Sequence, residues 1–363
     1  MPKMEVPREE VISKRNLTLP VFWTIRSSDD DALSRLGKAS LGHGIWQTDR
    51  DGQLRAAIVR AIESSREMVC VASFLLSDPE IIGSLIKAAR KGVRVYLLTA
   101  SEKLLMREGK EDSEYDEKRL KEHIDTLNRL AGGILVRTSD HLHSKFILID
   151  PKGEAPKGFL LTANLTPEAL TRNPELGIEL SDVLVRDLFR QFIYGFWEEA
   201  SRELFEPGQL RPVKKYKPNR MSMPERVLYT IGERSTILST ILDMLKRARS
   251  EVWLSTFGIE SGHEVTEALR RARLDGKKVR LITRPRPNES HMTALVDLSK
   301  AGIEVRGHRW LHGKALVIDT EEGYEGLIMT ANVSKLGLDS GFETGVRVSG
   351  AQSETLRSTL VDW

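Results

Sequence analysis

The sequence contains almost no cysteine, and Cys70 is the only one in 363 residues. Internal disulfide bonds are therefore excluded. Because Cys70 lies between Val69 and Val71, we predict that it is a small buried core residue. No run of about 18 apolar residues occurs, so no membrane span is expected. Residues 1–15 are charged throughout and lack the apolar stretch of a signal peptide, so we expect a cytoplasmic protein.

The bulk composition is that of an ordinary soluble protein. Hydrophobic residues make up 40% and charged residues 29% of the chain, which is enough apolar material for a sizeable core without disulfide bonds. The formal net charge is only +3, so the sequence permits a polyanionic partner but does not require one. The length leaves room for two or three domains.

A polar motif occurs twice in otherwise diverged sequence, and the two copies keep an offset of 168 or 169 residues throughout. Each copy contains a histidine, a lysine, an aspartate, an asparagine and a glutamate in the same order. The first set is His143, Lys145, Asp150, Asn164 and Glu175, and the second is His312, Lys314, Asp319, Asn332 and Glu343. One His-x-Lys-x4-Asp match would be weak evidence, but two copies with matching Asn and Glu indicate that the polar set is the functional feature.

The sequence around each copy predicts the same alternation of helices and strands. In the first half, the predicted order is a helix, a buried strand at residues 68–75, a helix that stops at Gly92, and a strand at residues 93–99. The second half repeats this order over residues 237–283. Strands that alternate with helices of this length indicate βαβ units. We therefore predict an α/β fold of two similar α/β/α halves, with mixed, largely parallel sheets related by a pseudo-twofold axis.

We divide the chain into four segments: an N-terminal extension (1–45), a first half (46–205), a linker (206–227) and a second half (228–363). The linker is predicted from its prolines and basic residues, whose charge could also hold a nucleic-acid backbone. A charge-rich segment at residues 102–122 breaks the symmetry between the halves. We interpret it as a solvated helical insertion rather than a lid over the substrate.

The residue types of the motif suit one phosphodiester. Lysine ammonium groups neutralise its non-bridging oxygens, and asparagine amides donate hydrogen bonds without adding charge. One imidazole can attack phosphorus while the second protonates the departing oxygen. A glutamate at the other ring nitrogen fixes the tautomer. Because neither half contains both motif histidines, the active site is expected at the interface of the halves.

The two aspartates of the motif are expected to have a different role. His143 and Lys145 are two residues apart, so on a strand they point the same way, whereas Asp150 points the other way. The second copy has the same spacing. We therefore expect Asp150 and Asp319 to order backbone behind the strand rather than to contact the substrate.

The duplicated HxKx4D motif with its following asparagine resembles the signature of the phospholipase D superfamily. The resemblance extends from about residue 50 to the end and lies in HSKFILID, LLTANLTPEALTRNPELG, HGKALVID and IMTANVS. It implies the fold of that family, catalysis without metal or other cofactor, and a phosphohistidine intermediate. One histidine would be the nucleophile and the other the acid and then the base, and which is which stays open. The implied roles are catalytic for His143 and His312, phosphate binding for Lys145, Lys314, Asn164 and Asn332, and support of the histidines for Glu175 and Glu343.

The chain departs from the family pattern at one place. The Gly-Ser pair that precedes the asparagine in the family is replaced by Leu161-Thr162 in the first copy and Met329-Thr330 in the second. Thr162 and Thr330 keep a hydroxyl group, so we expect a hydrogen bond to the site to be retained. We include both threonines among the phosphate-binding residues.

Four further residues are candidates for substrate contacts. His141 and His143 form a His-x-His pair, but no carboxylate or cysteine cluster accompanies it, so we interpret His141 as a rim residue and predict no metal site. Trp310 has the equivalent position in the second copy and suits either a stacking platform or core packing. Arg284 and Arg286 follow a predicted strand end, where open α/β sheets bind ligands, and could grip a flanking phosphate.

The chemistry does not specify the alcohol, and three functions fit. The first, which we favour from the basic residues, is a nuclease that cleaves DNA or RNA. The second is a phospholipase D or a phosphatidyl transferase of the cardiolipin synthase type, and the third is a non-catalytic nucleic-acid-binding protein. Nucleic acid is therefore the expected partner. One chain is expected to suffice for one active site, whatever the oligomeric state.

Overall fold

The computed structural model describes residues 25–26, 40–108, 113–214, 222–286 and 288–363. The rest of the predicted N-terminal extension, part of the charged insertion and residues 215–221 of the predicted linker lie outside the described residues. None of the described helices is long and apolar enough to cross a membrane.

The first half forms a ten-stranded mixed sheet with helices on it. Its strands are β2 (Ser40–Gly42), β3 (Ile45–Gln47), β4 (Met68–Ser73), β5 (Arg94–Ala100), β6 (Leu135–Ser139), β7 (Phe146–Ile149), β8 (Lys157–Leu161), β9 (Leu176–Glu179), β10 (Arg202–Glu206) and β11 (Gln209–Pro212). Its helices are α1 (Gln53–Glu63), α2 (Pro79–Arg90), α3 (Glu102–Glu108), α4 (Ser113–Leu130), α5 (Pro167–Thr171) and α6 (Asp182–Tyr194), which continues into a π-helical turn at Gly195–Glu199. The spatial order is β11-β10-β6-β5-β4-β7-β8-β9-β3-β2.

The second half repeats this architecture in a nine-stranded sheet that also takes up β1 (Ile25–Arg26). Its other strands are β12 (Leu228–Ile231), β13 (Arg234–Ser235), β14 (Glu251–Thr256), β15 (Lys278–Thr283), β16 (Glu304–His308), β17 (Ala315–Thr320), β18 (Gly323–Met329) and β19 (Phe342–Ser349). Its helices are α7 (Thr236–Arg247), α8 (Glu264–Leu274), α9 (Glu289–Lys300), a π-helix at Lys335–Ser340 and α10 (Ala351–Asp362). The order is β1-β16-β15-β14-β17-β18-β19-β12-β13.

The predicted α/β fold with two mixed sheets and parallel core strands is confirmed. β4, β5 and β6 are parallel in the first sheet, as are β14, β15 and β16 in the second. The strands that follow each motif are added antiparallel, because β7–β8 and β17–β18 are hairpins. Parallel pairing is thus concentrated at the core strands, where helices α2 and α8 make the crossovers.

The apolar runs of the central strands are buried on both faces. Cys70 and Ala72 face a core shared by the two halves, whereas Val69 and Val71 face an outer core under the first-half helices. Helices α6 and α10 contribute to the shared core, which lies between the sheets. The prediction that Cys70 is a buried core residue is confirmed. Continuous apolar strands therefore carry the motif residues on a rigid scaffold.

Two predicted segment boundaries differ from the structure. Residues 40–45 were included in the N-terminal extension, but Ser40–Gly42 already pairs with β3 in the first sheet. Residues 209–212 were included in the linker, but they form the edge strand β11, which pairs with β10. A turn at Gly208, whose φ is +73°, closes that hairpin. Proline and charge are both tolerated on an edge strand, so composition alone suggested a linker.

Candidate active site at the interface of the halves

Each His-x-Lys triplet lies just before a central antiparallel strand and is held by backbone from the other half. The N–H groups of His143 and Ser144 donate to the carbonyl of Phe342 at 3.0 and 2.9 Å. In the second copy, His312 N–H and Gly313 N–H donate to the carbonyl of Pro174 at 3.1 and 2.8 Å. Phe342 and Pro174 immediately precede the two motif glutamates. The same carbonyl contacts therefore join the halves and place each glutamate beside the other half's histidine.

The histidine–glutamate pairs cross between the halves. Nδ1 of His143 lies 2.8 Å from Oε1 of Glu343, and Nδ1 of His312 lies 2.7 Å from Oε1 of Glu175. Both glutamates are buried. With Nδ1 engaged by a carboxylate, Nε2 is the nitrogen of each ring that could react with a substrate. The two pairs lie at the interface of the halves, where the sequence predicted the site. Because each pair joins the two halves, neither half contains a complete pair.

The two threonines hold the glutamates, which revises their expected role. Thr162 Oγ1 donates to Oε2 of Glu175 at 2.6 Å, and Thr330 Oγ1 donates to Oε2 of Glu343. Each hydroxyl oxygen also accepts a backbone N–H, and both side chains are fully buried. Because each hydroxyl hydrogen is committed to a carboxylate, these contacts do not fit direct phosphate binding. The hydrogen bond to the site persists, but it acts through the glutamates.

The two lysines are fully buried beside the histidines. Lys314 Nζ donates to the carbonyl of His312 at 2.7 Å and lies 3.2 Å from both ring nitrogens of that residue. Lys145 Nζ donates to the carbonyl of His143. Two buried ammonium groups are costly without a negative partner. Here they offset the glutamates and give the site the positive field that a phosphodiester requires.

The two asparagines lie at equivalent strand ends. Oδ1 of Asn164 and Oδ1 of Asn332 are buried, and within the described residues neither has a hydrogen-bond partner. An unsatisfied buried amide oxygen is unusual and points to a group that a ligand would contact. Rotation of the amide exchanges its two ends, so each asparagine can present NH₂ to a phosphate oxygen.

The two histidine–glutamate pairs differ in their ionisation despite their similar geometry. Burial raises the pKa of Glu175 to about 7. Burial, together with the charges of Lys314 and Lys145, holds the pKa of His312 well below 6.5. Burial opposes ionisation of Glu343 as well, but the charge of His143, its hydrogen bond and Lys145 together lower the pKa of Glu343. The Glu175–His312 pair therefore favours a neutral imidazole, whereas Glu343 favours an ionised carboxylate.

The aspartates of the motif lie behind the strands, away from the two histidine–glutamate pairs. Asp150 accepts the backbone N–H groups of Arg66, Glu67 and Met68 at 2.8–2.9 Å. Asp319 accepts from the backbone N–H and the hydroxyl of Ser250 and from Glu251 N–H. Each aspartate thus ties the end of its strand to the start of β4 or β14.

Two phenylalanines beside the histidines did not emerge from the sequence reasoning. The Phe74 ring contacts the His143 ring edge-on at 5.3 Å between centroids, and Phe257 contacts His312 in the same way at 4.9 Å. Each follows the last residue of a parallel strand, Ser73 or Thr256. This Ser/Thr-Phe pair at corresponding strand ends is a repeat signal that could have been found.

The four residues predicted to contact the substrate lie in two places. His141 and Arg286 line a cavity beside His143. The Trp310 ring lies under the guanidinium groups of Arg284 at 5.3 Å, Arg309 at 5.1 Å and Arg172 at 4.3 Å from its centroid. Trp310 is thus part of an arginine–aromatic cluster rather than of the apolar core, and Arg172 had no sequence signal of its own.

Across the ranges that the structure describes, no three His, Cys, Asp or Glu side chains lie together in a way that would hold a metal ion. His141, the candidate partner of His143 in a His-x-His pair, instead has Nδ1 3.8 Å from a carboxylate oxygen of Glu199.

Comparison with known proteins gives a family, and two of the similar solved structures are described here. The family model described as "Cardiolipin synthase, PLD-like domain" matches residues 58–198 and 241–359. Phosphatidylserine synthase from Haemophilus influenzae Rd KW20 is 12% identical, with a TM-score of 0.58 over 92% of this chain and 89% of that one. Polyphosphate kinase from Porphyromonas gingivalis is 18% identical, with a TM-score of 0.57 over 88% of this chain. This chain spans about half (49%) of that kinase. A sequence search found no match among curated proteins.

Proposed function

The chain belongs to the phospholipase D superfamily, and we propose that within it this protein is a phosphatidyl transferase or phospholipase that works through a phosphohistidine. The observation that carries the proposal is the crossed arrangement of His143–Glu343 and His312–Glu175 with two buried lysines at one interface. Two oriented imidazoles and two ammonium groups supply nucleophile, acid and charge stabilisation for one phosphodiester.

The chemistry divides into two displacement steps. In the first, Nε2 of one histidine forms a bond to phosphorus, the P–O bond to the alcohol breaks, and the second imidazolium donates its proton to the departing oxygen. In the second, that imidazole takes a proton from a new alcohol or from water, whose oxygen displaces the first histidine. Lys145 and Lys314 stabilise the charge on the non-bridging oxygens in both steps.

Two observations support a lipid substrate over the nuclease that the sequence favoured. The matched family is described by a cardiolipin synthase, and a synthase of phosphatidylserine has a similar fold over most of both chains. In addition, apolar side chains, among them Phe74, Leu104 and Leu336, line the cavity beside His143, and Leu336 is 42% exposed at that position. An exposed leucine next to the catalytic residues suits an amphipathic substrate.

A nuclease is retained as a second candidate because of the arginine–aromatic cluster. Arg172, Arg284 and Arg309 are arranged around Trp310. Guanidinium groups and an indole ring are groups that bind phosphates and stack on bases.

The two candidates are separated by a substrate test with EDTA present throughout. One arm contains vesicles of phosphatidylglycerol with phosphatidylcholine, and the other contains labelled single- and double-stranded oligonucleotides. We expect phosphatidic acid or a transferred phosphatidyl product in the first arm, reduced to a small residual rate in His143→Ala and His312→Ala. Cleavage confined to the oligonucleotides would favour the nuclease. Absence of turnover in both arms would refute the proposal.

A further inference from the structure

A third pair of histidines keeps the spacing of the duplicated motif without being part of it. His123 in α4 and His291 in α9 are 168 positions apart, as are Asn164 and Asn332. The buried leucines of the two helices have the same spacing, with Leu127 matching Leu295 and Leu130 matching Leu298. The two histidines therefore occupy equivalent positions, and both are almost completely buried.

The imidazole of His291 links the ends of two neighbouring parallel strands. Its Nδ1 accepts the N–H of Ile259, three residues after β14, at 3.2 Å. Its Nε2 lies 3.1 Å from the carbonyl oxygen of Arg284, directly after β15. Because a carbonyl oxygen can only accept, Nε2 carries the hydrogen and the ring is neutral. Burial, together with the charge of Arg286, lowers the pKa of His291 to about 4, which preserves this neutral form.

The equivalent imidazole in the first half makes no such link. The ring of His123 faces the backbone of Ala100 at the end of β5, but within the described residues no hydrogen bond of good geometry reaches either ring nitrogen. The same buried residue is therefore a packing group in the first half and a hydrogen-bonded connection in the second.

The segment that His291 holds, residues 258–260, borders Asn332. The carbonyl of Gly258 accepts the N–H of Val333 at 3.1 Å, and Glu260 N–H donates to the carbonyl of Val333 at 2.9 Å. A Cβ on Gly258 would lie 3.9 Å from the Asn332 side chain. Because Val333 directly follows Asn332, the position of this segment sets the position of the Asn332 amide.

Building on the proposed function, in which Asn332 contacts the phosphate, we infer that His291 is a positioning residue for Asn332. Oδ1 of Asn332 is buried and has no hydrogen-bond partner within the described residues, so packing against the segment 258–260 has to orient the amide. The bond from Nε2 to Arg284 fixes the tautomer, which leaves Nδ1 as the acceptor that anchors Ile259. His291 acts through Asn332 rather than on the substrate.

The test makes the same substitution at the two equivalent histidines and uses bis(p-nitrophenyl) phosphate as a soluble diester. In His291→Leu, kcat should fall by roughly tenfold with KM within about threefold of wild type, because Asn332 is no longer aligned with the developing charge. His291→Asn keeps an acceptor oxygen near the position of Nδ1 and should recover most of kcat. His123→Leu, the matched control, should keep the wild-type kcat and KM. Each variant is assayed well below its own thermal unfolding midpoint, so that lost stability does not enter the rates.

A double-mutant cycle separates positioning from packing. In an Asn332→Ala background, adding His291→Leu should lower kcat by less than about twofold, because the two residues act as a unit. A full loss in that background would show that His291 acts independently of Asn332 and would overturn the inference. Equal losses of kcat in His291→Leu and His123→Leu would also overturn it, since both effects would then come from packing.

Binding of inorganic phosphate, measured by isothermal titration calorimetry, distinguishes failure of this inference from failure of the proposed function. The Kd for phosphate should rise by roughly threefold or more in His291→Leu and stay at the wild-type value in His123→Leu. If the wild type hydrolyses no diester but this difference in Kd is found, the proposed function fails and the positioning role stands. If the wild type is active and His291→Leu matches it in kcat and Kd, the positioning role fails alone. A wild type that neither turns over the diester nor binds phosphate would refute both.

Discussion

Nδ1 of His143 lies 2.8 Å from Oε1 of Glu343, a residue 200 positions further along the chain. The equivalent pair, His312 and Glu175, is separated by 137 positions and has the same geometry. Each half therefore lends its glutamate to the other half's histidine. The site is completed only when the halves dock, so docking and catalytic competence are coupled.

The crossed pairs predict non-additive loss of activity. Glu343→Gln removes the carboxylate that orients and supports His143, so kcat should fall by roughly 10²- to 10⁴-fold. Adding Glu343→Gln to His143→Ala should cost little more, because the two residues act as a unit. Steady-state kinetics of the double-mutant cycle make the measurement. Glu179→Gln, which disturbs an exposed contact to Trp46, is the control. Full additivity would contradict the pairing.

The two glutamates should affect stability with opposite dependence on pH. Burial raises the pKa of Glu175 from 4.5 to about 7, so its contribution to the free energy of unfolding is present below 4.5 and lost as the pH rises through about 7. The pKa of Glu343 is lowered from 4.5, so its contribution is present above 4.5 and is lost as the pH falls below 4.5 through the lowered pKa.

Urea unfolding of the wild type, Glu175→Gln and Glu343→Gln is measured from below pH 4.5 to above about pH 7. These measurements test the predicted sign of each glutamate's effect on stability. As the pH rises, the wild type should lose stability relative to Glu175→Gln and gain it relative to Glu343→Gln. Each slope is bounded by about 1.4 kcal/mol per pH unit. Slopes of the same sign would contradict the asymmetry.

Asp150 is expected to stabilise the fold rather than act in catalysis. It accepts three backbone N–H groups and has a φ of +46°, in the left-handed region. Asp150→Ala should lower the free energy of unfolding by about 1–3 kcal/mol. Asp150→Asn should lower it less, because asparagine keeps one acceptor oxygen and tolerates that φ. Chemical denaturation gives the stability. A stable Asp150→Ala protein without activity would show that the residue belongs to the site.

Gly313 of the second motif copy packs closely against Trp363. A Cβ at Gly313 would overlap the indole ring of Trp363, which is buried at the end of α10. Gly313→Ala should therefore destabilise the protein by about 1–3 kcal/mol and displace His312. In the double variant with Trp363→Ala, the overlap is removed and part of the activity should return. Thermal unfolding and kcat of the three variants make the comparison. Equal activity of the single and double variants would argue against this contact.

Much of the fold followed from local pattern. The strand predicted at residues 68–75 corresponds to β4 (Met68–Ser73), and the helix expected to stop at Gly92 is α2, which ends at Arg90. These elements could be predicted because apolar runs and helix-ending glycines depend on local conformation. Strand β11 and the turn before it fell in the predicted linker, because the prolines and charged residues that indicate a linker are also tolerated on an edge strand.

The sequence predicted the residue types of the site but not which side chains contact one another. The threonines were expected at the phosphate, yet their hydroxyls donate to Glu175 and Glu343. The rings of Phe74 and Phe257 against the histidines also went unnoticed, although both follow corresponding strands. A motif states which chemistry is present, whereas contacts depend on the packing of distant segments.

The sequence by itself determined the duplicated set of histidines, lysines, asparagines and glutamates and the strand–helix order around each copy, because both are properties of short stretches of chain. Only the tertiary structure decided that Glu175 serves His312, that Glu343 serves His143, and that the cavity lies on the side of His143. Those relationships arise from how two folded halves dock, and docking depends on the shape of the shared core rather than on any local pattern.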